Sequence, residues 1–289
     1  MTLAVADNRL RTYAGFVKLE HTVFSLPLIY AGALLGAPRW PSARLAILVL
    51  LAAVGGRVVA MGLNRLIDVE IDARNPRTQR RELPRGAMRR WEAWAIVVLA
   101  GLLYAASAVA IAPICLVLSP IPVVLFLAYP YLKRCTSLSH LGLGLAWSMA
   151  PLGGWLAASR SLAGIREVGW LWLFSILWVS GFDIIYATMD EAFDREWGLH
   201  ALPAHLGKRP ALQIAAALHA VAFLSLWLLW CTQLGSSPVA LAWLAAIGLL
   251  FLWQHLIAAR RPVFAFFQLN GALGFLVLGF VASGGSGFP

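Results

Sequence analysis

Two short stretches of this chain carry carboxylates at helical spacing. In 64-NRLIDVEID-72, Asn64, Asp68 and Asp72 recur every four residues, and in 183-DIIYATMDEAFD-194 the acids are Asp183, Asp190 and Asp194. At 100° per residue, Arg57, Asn64 and Asp68 fall within about 40° of one another, with Asp72 one turn further on; Asp183, Asp190 and Asp194 also fall within about 40°, with Tyr186 about 60° to one side. Oxygen-rich stripes of this kind suit a hard divalent cation. Magnesium prefers six oxygens, keeps several waters and usually takes one or two carboxylates plus substrate phosphates. Two such stripes could hold two ions around a diphosphate, and neighbouring arginines would add charge-assisted hydrogen bonds. The plainer alternative is a pair of solvated helix ends neutralised by those arginines. Two stripes at one depth weigh against it, because ionisable groups at the edge of an apolar span are usually there for function.

The elements that must position these residues are membrane helices. The chain has 289 residues, of which 61% are hydrophobic and 12% charged, with a mean hydropathy of +0.77. A soluble domain carries about 25% charged residues. Apolar runs near the 20 or so residues that cross a bilayer recur throughout, and the short alternating segments of a β-barrel are not visible. Nine spans are expected, at 13–36, 43–66, 92–112, 114–132, 138–158, 168–189, 211–231, 239–258 and 264–284, with only Pro113 between the third and fourth. The first run is too long for a signal-peptide core and is expected to remain as a span.

Eighteen of the 23 lysines and arginines fall in loops on one side of these spans and four on the other, with Arg57 inside a span. That bias puts the N-terminus and both acidic stripes at the cytoplasmic face. The net charge of +10 is mostly this excess in short loops, which argues against nucleic acid as a partner. Cys115, Cys135 and Cys231 are widely spaced, without a CxxC, and give neither a disulfide framework nor a zinc site. The expectation is therefore an all-α membrane protein, one domain over 1–289, with a lipid-accessible cavity inside a nine-helix bundle. An amphipathic substrate explains why spans end in acids: a diphosphate stays at the aqueous face while its lipid tail lies in the bundle.

These residues resemble the UbiA superfamily of intramembrane prenyltransferases. Its N-D-x-x-D-x-x-x-D signature is kept as Asn64, Asp68 and Asp72, and its D-x-x-Y-A-x-x-D-x-x-x-D pattern as Asp183, Tyr186, Ala187, Asp190 and Asp194. The in-span Arg57, the loop 77-RTQRRELPRG-86, 129-YPYLKR-134, 147-WSMAP-151 and Asn270 match as well. The resemblance implies that two magnesium ions grip a polyprenyl diphosphate, with Asn64, Asp68 and Asp72 on one side and Asp190 and Asp194 on the other. It makes Asp68, Asp190, Arg57 and Lys133 catalytic, with Arg57, Lys133, Arg77 and Arg81 on the diphosphate. An electron-rich ring would capture the allylic cation, and in-span aromatics such as Tyr186 and Trp147 could face it. Asp183, Tyr186, Arg134 and Tyr131 become candidate acceptor contacts.

Three departures bear on the acceptor. Arg65 stands where the first signature usually has Asp, 198-GLHALP-203 replaces a G-x-K-S stretch, and 18-KLEHTVFSLP-27 replaces R-x-D-K-P-x-G. They resemble a branch that prenylates a hydroxynaphthoate-type acid for menaquinone, which adds Glu20 and His21 as acceptor-side candidates. The 129–134 and 77–86 matches favour the 4-hydroxybenzoate group used for ubiquinone. Dihydroxynaphthoate, homogentisate and haem remain alternatives. A secondary transporter would place its polar site near the bilayer midplane on broken helices, and a scaffold would not need both acidic clusters.

Overall fold

The computed structural model describes residues 2–17, 22–37 and 39–284, and every regular element among them is helical. In chain order these are α1 (Thr2–Val17), α2 (Thr22–Gly36), α3 (Ala43–Ile67), α4 (Val69–Arg74), α5 (Arg90–Ile111), α6 (Pro113–Leu118), α7 (Pro120–Leu132) and α8 (Ser139–Ser159). A 3-10 turn at Ile165–Val168 leads into α9 (Gly169–Ala187), followed by α10 (Glu191–Glu196), α11 (Leu202–Leu206), α12 (Lys208–Thr232), α13 (Pro238–Ala258) and α14 (Pro262–Ala282).

Among the described residues, eight segments are long and apolar enough to cross a membrane, with α2 as a shorter apolar helix over Ser25–Gly36. The run expected as a single span at 13–36 is divided between α1 and α2. The apolar end of α1 is buried on protein, where Phe16 and Val17 pack against Val58, Leu83, Met88 and Ala93. The other expected spans match helices to within a few residues, with one internal difference. Between 114 and 132 the chain forms α6 and α7, which meet at Ser119, because Pro120 has no N–H to continue the ladder. Ala112, rather than Pro113, is the extended junction after α5, and Pro113 opens α6 at the position where a missing N–H costs nothing.

Helix ends follow local chemistry. Ser42 accepts a hydrogen bond from the Leu45 amide at the start of α3, and Ser237 accepts from Ala240 at the start of α13. In lipid, helices associate by close van der Waals packing rather than by hydrophobic burial, so small residues mark the contacts. The α2–α8 seam shows it: a Cβ on Gly32 would lie 2.0 Å from the Pro151 carbonyl oxygen, and one on Gly154 1.8 Å from that of Ile29.

The two halves of the bundle differ in filling. Helices α9, α12, α13 and α14, with α2 and Trp155 of α8, enclose the largest apolar core, including Phe174, Trp178, Leu226, Ile247 and Phe280. Helices α3, α5, α6, α7 and α8, with one face of α9 and the start of α14, instead surround open space.

Candidate active site

A cavity of about 820 Å³ opens among these helices, toward the upper end of the usual range for ligand sites. Its polar end is built by both acidic stripes, which share one backbone device. Helix α3 stops at Asp68 (φ −94°, ψ 5°) and resumes as the six-residue α4, which carries Asp72. Beyond α9 the chain turns at Asp190 (φ −107°, ψ 6°) and resumes as the six-residue α10, which carries Asp194. The stripes are therefore not continuous helices, as their spacing alone suggested. Each kinks at its middle aspartate, which brings the last carboxylate back over the cavity, and Asn64, Asp68, Asp72, Asp183, Asp190 and Asp194 all line it.

Asp68 is 2% exposed and receives Lys133 Nζ at 2.5 Å, Asn64 Nδ2 at 3.2 Å and Arg134 Nη2 at 3.4 Å. Asp72 receives Arg81 Nη1 at 2.7 Å, and Thr78 Oγ1 donates to its carbonyl at 3.1 Å. Arg77 donates to Asp190 from Nε at 2.8 Å and from Nη2, and to the Tyr186 hydroxyl from Nη1 at 2.5 Å. Burial pulls the Arg77 guanidinium down, but Asp190 and Tyr186 outweigh it and hold it protonated above its ordinary range. Among the described residues Asp194 forms no ion pair of this kind. Burial, then the charge of Asp190, pushes its carboxyl up to about 6, against the weaker pull of Lys133, Arg77 and His140. Arg57 reaches the cavity from mid-α3, its guanidinium 5.2 Å from the centre of the Trp147 ring.

Two predicted acceptor contacts fall elsewhere. Arg134 lies outside the cavity lining and caps α3, donating to the Ile67 carbonyl at 2.8 Å. Tyr131 is 46% exposed and lies under the Arg134 guanidinium at 5.3 Å, while Tyr129, two residues earlier, lines the cavity. Glu20 and His21 lie outside the described residues. Arg65, which stands where the first signature usually has Asp, forms an ion pair with Glu82.

Sequence reasoning missed two side chains. Asn75, 6% exposed, donates Nδ2 to Asp190 at 2.9 Å and accepts the Arg77 amide on Oδ1 at 2.9 Å, so it fixes the loop that delivers Arg77 to the second stripe. The Asn75–Pro76 dipeptide was the available signal for a turn. His140 of α8 is the other. Its Nε2 accepts the Leu202 amide at 3.2 Å, which leaves Nδ1 to donate to Asp183 Oδ2 at 2.6 Å and fixes the tautomer. No sequence signal marked it.

Among the described residues no group of three or more His, Cys, Asp or Glu side chains is arranged to hold a metal ion by itself. Magnesium does not require one, since phosphates and waters usually complete its shell. An open set of carboxylates on two kinked helices, with Lys133, Arg77 and Arg81 beside them, fits such an ion.

The UbiA prenyltransferase family model matches residues 25–270. The chain is 29% identical over 264 residues, 90% of it and 91% of the relative, to the 4-hydroxybenzoate octaprenyltransferase of Vibrio vulnificus. It is 30% identical over 244 residues, 82% of it and 84% of the relative, to the Legionella pneumophila protein of the same name. Its fold matches the apo structure of a UbiA homolog from Aeropyrum pernix with a TM-score of 0.81, 37% identity, and coverage of 89% of this chain and 95% of that one. A UbiA homolog from Archaeoglobus fulgidus, solved bound to GPP and Mg2+, shares the fold at a TM-score of 0.69 and 19% identity, over 94% and 99% of the two chains. The paired aspartate kinks thus sit in a fold shared with solved UbiA homologs, and this chain belongs to the UbiA prenyltransferase family.

Proposed function

We propose that the chain transfers a polyprenyl group from a polyprenyl diphosphate to an aromatic hydroxy acid, at the cytoplasmic face of an inner membrane that it crosses nine times as one domain. The observation that carries this reading is the continuity of the cavity. A single space joins the acid and arginine end to an apolar chamber lined by Val49, Tyr104, Ile111 and Leu156. An isolated phosphate or a small soluble acid would leave that chamber empty.

Asn64, Asp68 and Asp72 would hold one magnesium ion and Asp190 and Asp194 a second, and when bound the ions supply Lewis-acid stabilisation to the departing diphosphate. Lys133, Arg81 and Arg77 now pair with Asp68, Asp72 and Asp190 respectively. With the acids engaged by metal, the same cations would be available to the diphosphate oxygens, with Arg57 approaching from the span. The allylic carbon would then lie toward Trp147, Phe182, Tyr186 and Phe266. Their rings contact one another edge-on or tilted, with centroids 4.2–5.6 Å apart, and offer π-faces to a developing cation while excluding water. The allylic C–O bond would break with diphosphate as leaving group, a ring carbon of the acceptor would bond to the allylic carbon, and the ring proton would pass to water at the open polar end. Asp183, held by His140 and bordering these aromatics, is placed to orient the acceptor hydroxyl or carboxylate region, with Tyr186 beside it.

Between acceptors, the named relatives favour 4-hydroxybenzoate over a hydroxynaphthoate. The test is transfer in membranes with magnesium and a polyprenyl diphosphate, with 4-hydroxybenzoate and a dihydroxynaphthoate offered side by side and Asp68→Ala as control. Product with 4-hydroxybenzoate alone, lost in the variant, assigns the acceptor. Folded protein that prenylates neither acid rules out the aromatic-acid reading.

A further inference from the structure

Helix α8 presents one face to the cavity along its whole length, through His140, Leu143, Ala146, Ala150, Gly153 and Ala157 at intervals of three or four residues. Two adjacent glycines interrupt it near the far end and meet opposite surroundings. A Cβ on Gly154 would strike the Ile29 backbone of α2, so that glycine serves helix packing. A Cβ on Gly153 would meet nothing within 4 Å, and Gly153, which lines the cavity, is itself exposed. Packing therefore does not explain Gly153. Glycine also lowers helix propensity by about 1 kcal/mol relative to alanine, so local helix stability does not explain it either. What the missing side chain leaves is volume.

That volume lies on the route a tail must take. Gly153 is six residues beyond Trp147, about 9 Å further from the polar end at the helical rise. Beyond it the lining continues through Leu156 and Ala157 of α8, Cys115 and Leu118 of α6, and Ile111 of α5. Gly56, which lines the same space from α3, differs: its Cβ would rest against the Tyr104 ring at 3.7 Å, so an added methyl there fills existing contact rather than open passage. Neither α12 nor α13 contributes a lining residue.

We propose that Gly153 is a chain-length determinant: its bare backbone is the passage by which the distal isoprene units of a long prenyl donor enter the chamber between α5, α6 and α8. The proposal rests on the prenyl diphosphate reading above. A large side chain at 153 should block the distal units while leaving the diphosphate and the reacting carbon untouched.

The experiment compares geranyl and octaprenyl diphosphate as donors to 4-hydroxybenzoate, using full-length protein in membranes with magnesium. For Gly153→Phe the octaprenyl-to-geranyl ratio of kcat/KM should fall about tenfold or more, with the geranyl value within about twofold of the parent. Gly153→Ala should leave the ratio unchanged, and Gly153→Leu should fall between them and stands in if the Phe variant does not fold. Equal loss with both donors, or no loss with either, in thermally intact Phe and Leu variants overturns the proposal. Stabilisation against heat by each donor without acceptor separates the two claims. Parent protein stabilised by both donors but inactive with this acceptor sinks only the acceptor assignment, and the same ratio is then read from stabilisation. Parent protein stabilised by neither donor overturns the donor reading and this inference with it.

Discussion

The two acidic kinks are alike in backbone and unlike in charge. Both place an aspartate at a helix break and a second on a six-residue helix beyond it. At the first kink each acid has its own cation, Lys133 and Arg134 for Asp68 and Arg81 for Asp72. At the second, Asp190 has Arg77 and a neutral donor in Asn75, while Asp194 is pushed up to about 6 by burial and by Asp190 itself. The first site is neutralised by the protein; the second keeps charge that an outside cation would relieve. Geometry repeated by two half-bundles thus does not imply equal roles, and the second kink is the one whose metal-free form is least comfortable.

The comparison predicts equal damage where both sites are required. Asp68→Ala and Asp190→Ala should each lower prenyl transfer by about 10³-fold or more, the scale expected when charge stabilisation of a transition state is lost. Retention of more than a tenth of the activity by either variant, in folded protein, would make that kink dispensable.

The cations should separate the sites. Arg77→Ala leaves Asp190 with Asn75 alone and deprives Tyr186 of its donor, whereas Lys133→Ala leaves Asp68 with Arg134 and Asn64. Both cations are about three-tenths exposed, so the losses are smaller than for a fully buried pair. The expected cost in thermal unfolding without metal is about 2 kcal/mol for Arg77→Ala and about 1 kcal/mol for Lys133→Ala. A reversed order would show that Asp68, not Asp190, is the acid that depends on one partner. Asn75→Ala should cost about 1 kcal/mol and weaken activity several-fold by freeing the Arg77 loop; an effect confined to stability would reduce Asn75 to a turn residue.

How much of this the chain announced depends on the range of the interaction. Spans were legible because about 20 apolar residues leave a local trace, and Asn64, Asp68, Asp72, Asp190 and Asp194 because one helix turn brings such residues together. The break at each middle aspartate was not legible, since Ile67–Asp68 and Met189–Asp190 carry no proline or glycine to mark it. Nor was His140, whose partners Asp183 and Leu202 are 43 and 62 residues away. Arg134 shows the converse: it belongs to a well-matched stretch, but its side chain turns to a helix end instead of the cavity.

The smallest effect is the most specific to the difference between the kinks. Without metal, the folded chain holds the Asp194 proton more tightly than the unfolded chain does, because burial and Asp190 raise that carboxyl to about 6. The stability tied to this proton is present below the ordinary aspartate range and is lost as pH rises through about 6. Metal-free protein should therefore melt slightly lower at neutral pH than near pH 5, by a degree or two. Asp194→Asn should remove that slope and leave the neutral-pH protein at least as stable as the parent, while abolishing transfer. Asp72→Asn should behave oppositely, since it strips Arg81 of its partner and costs up to about 1 kcal/mol. Identical melting shifts and identical slopes for the two variants would mean that the kinks are electrically equivalent, and that the charge left at Asp194 is not what draws a cation to the second site.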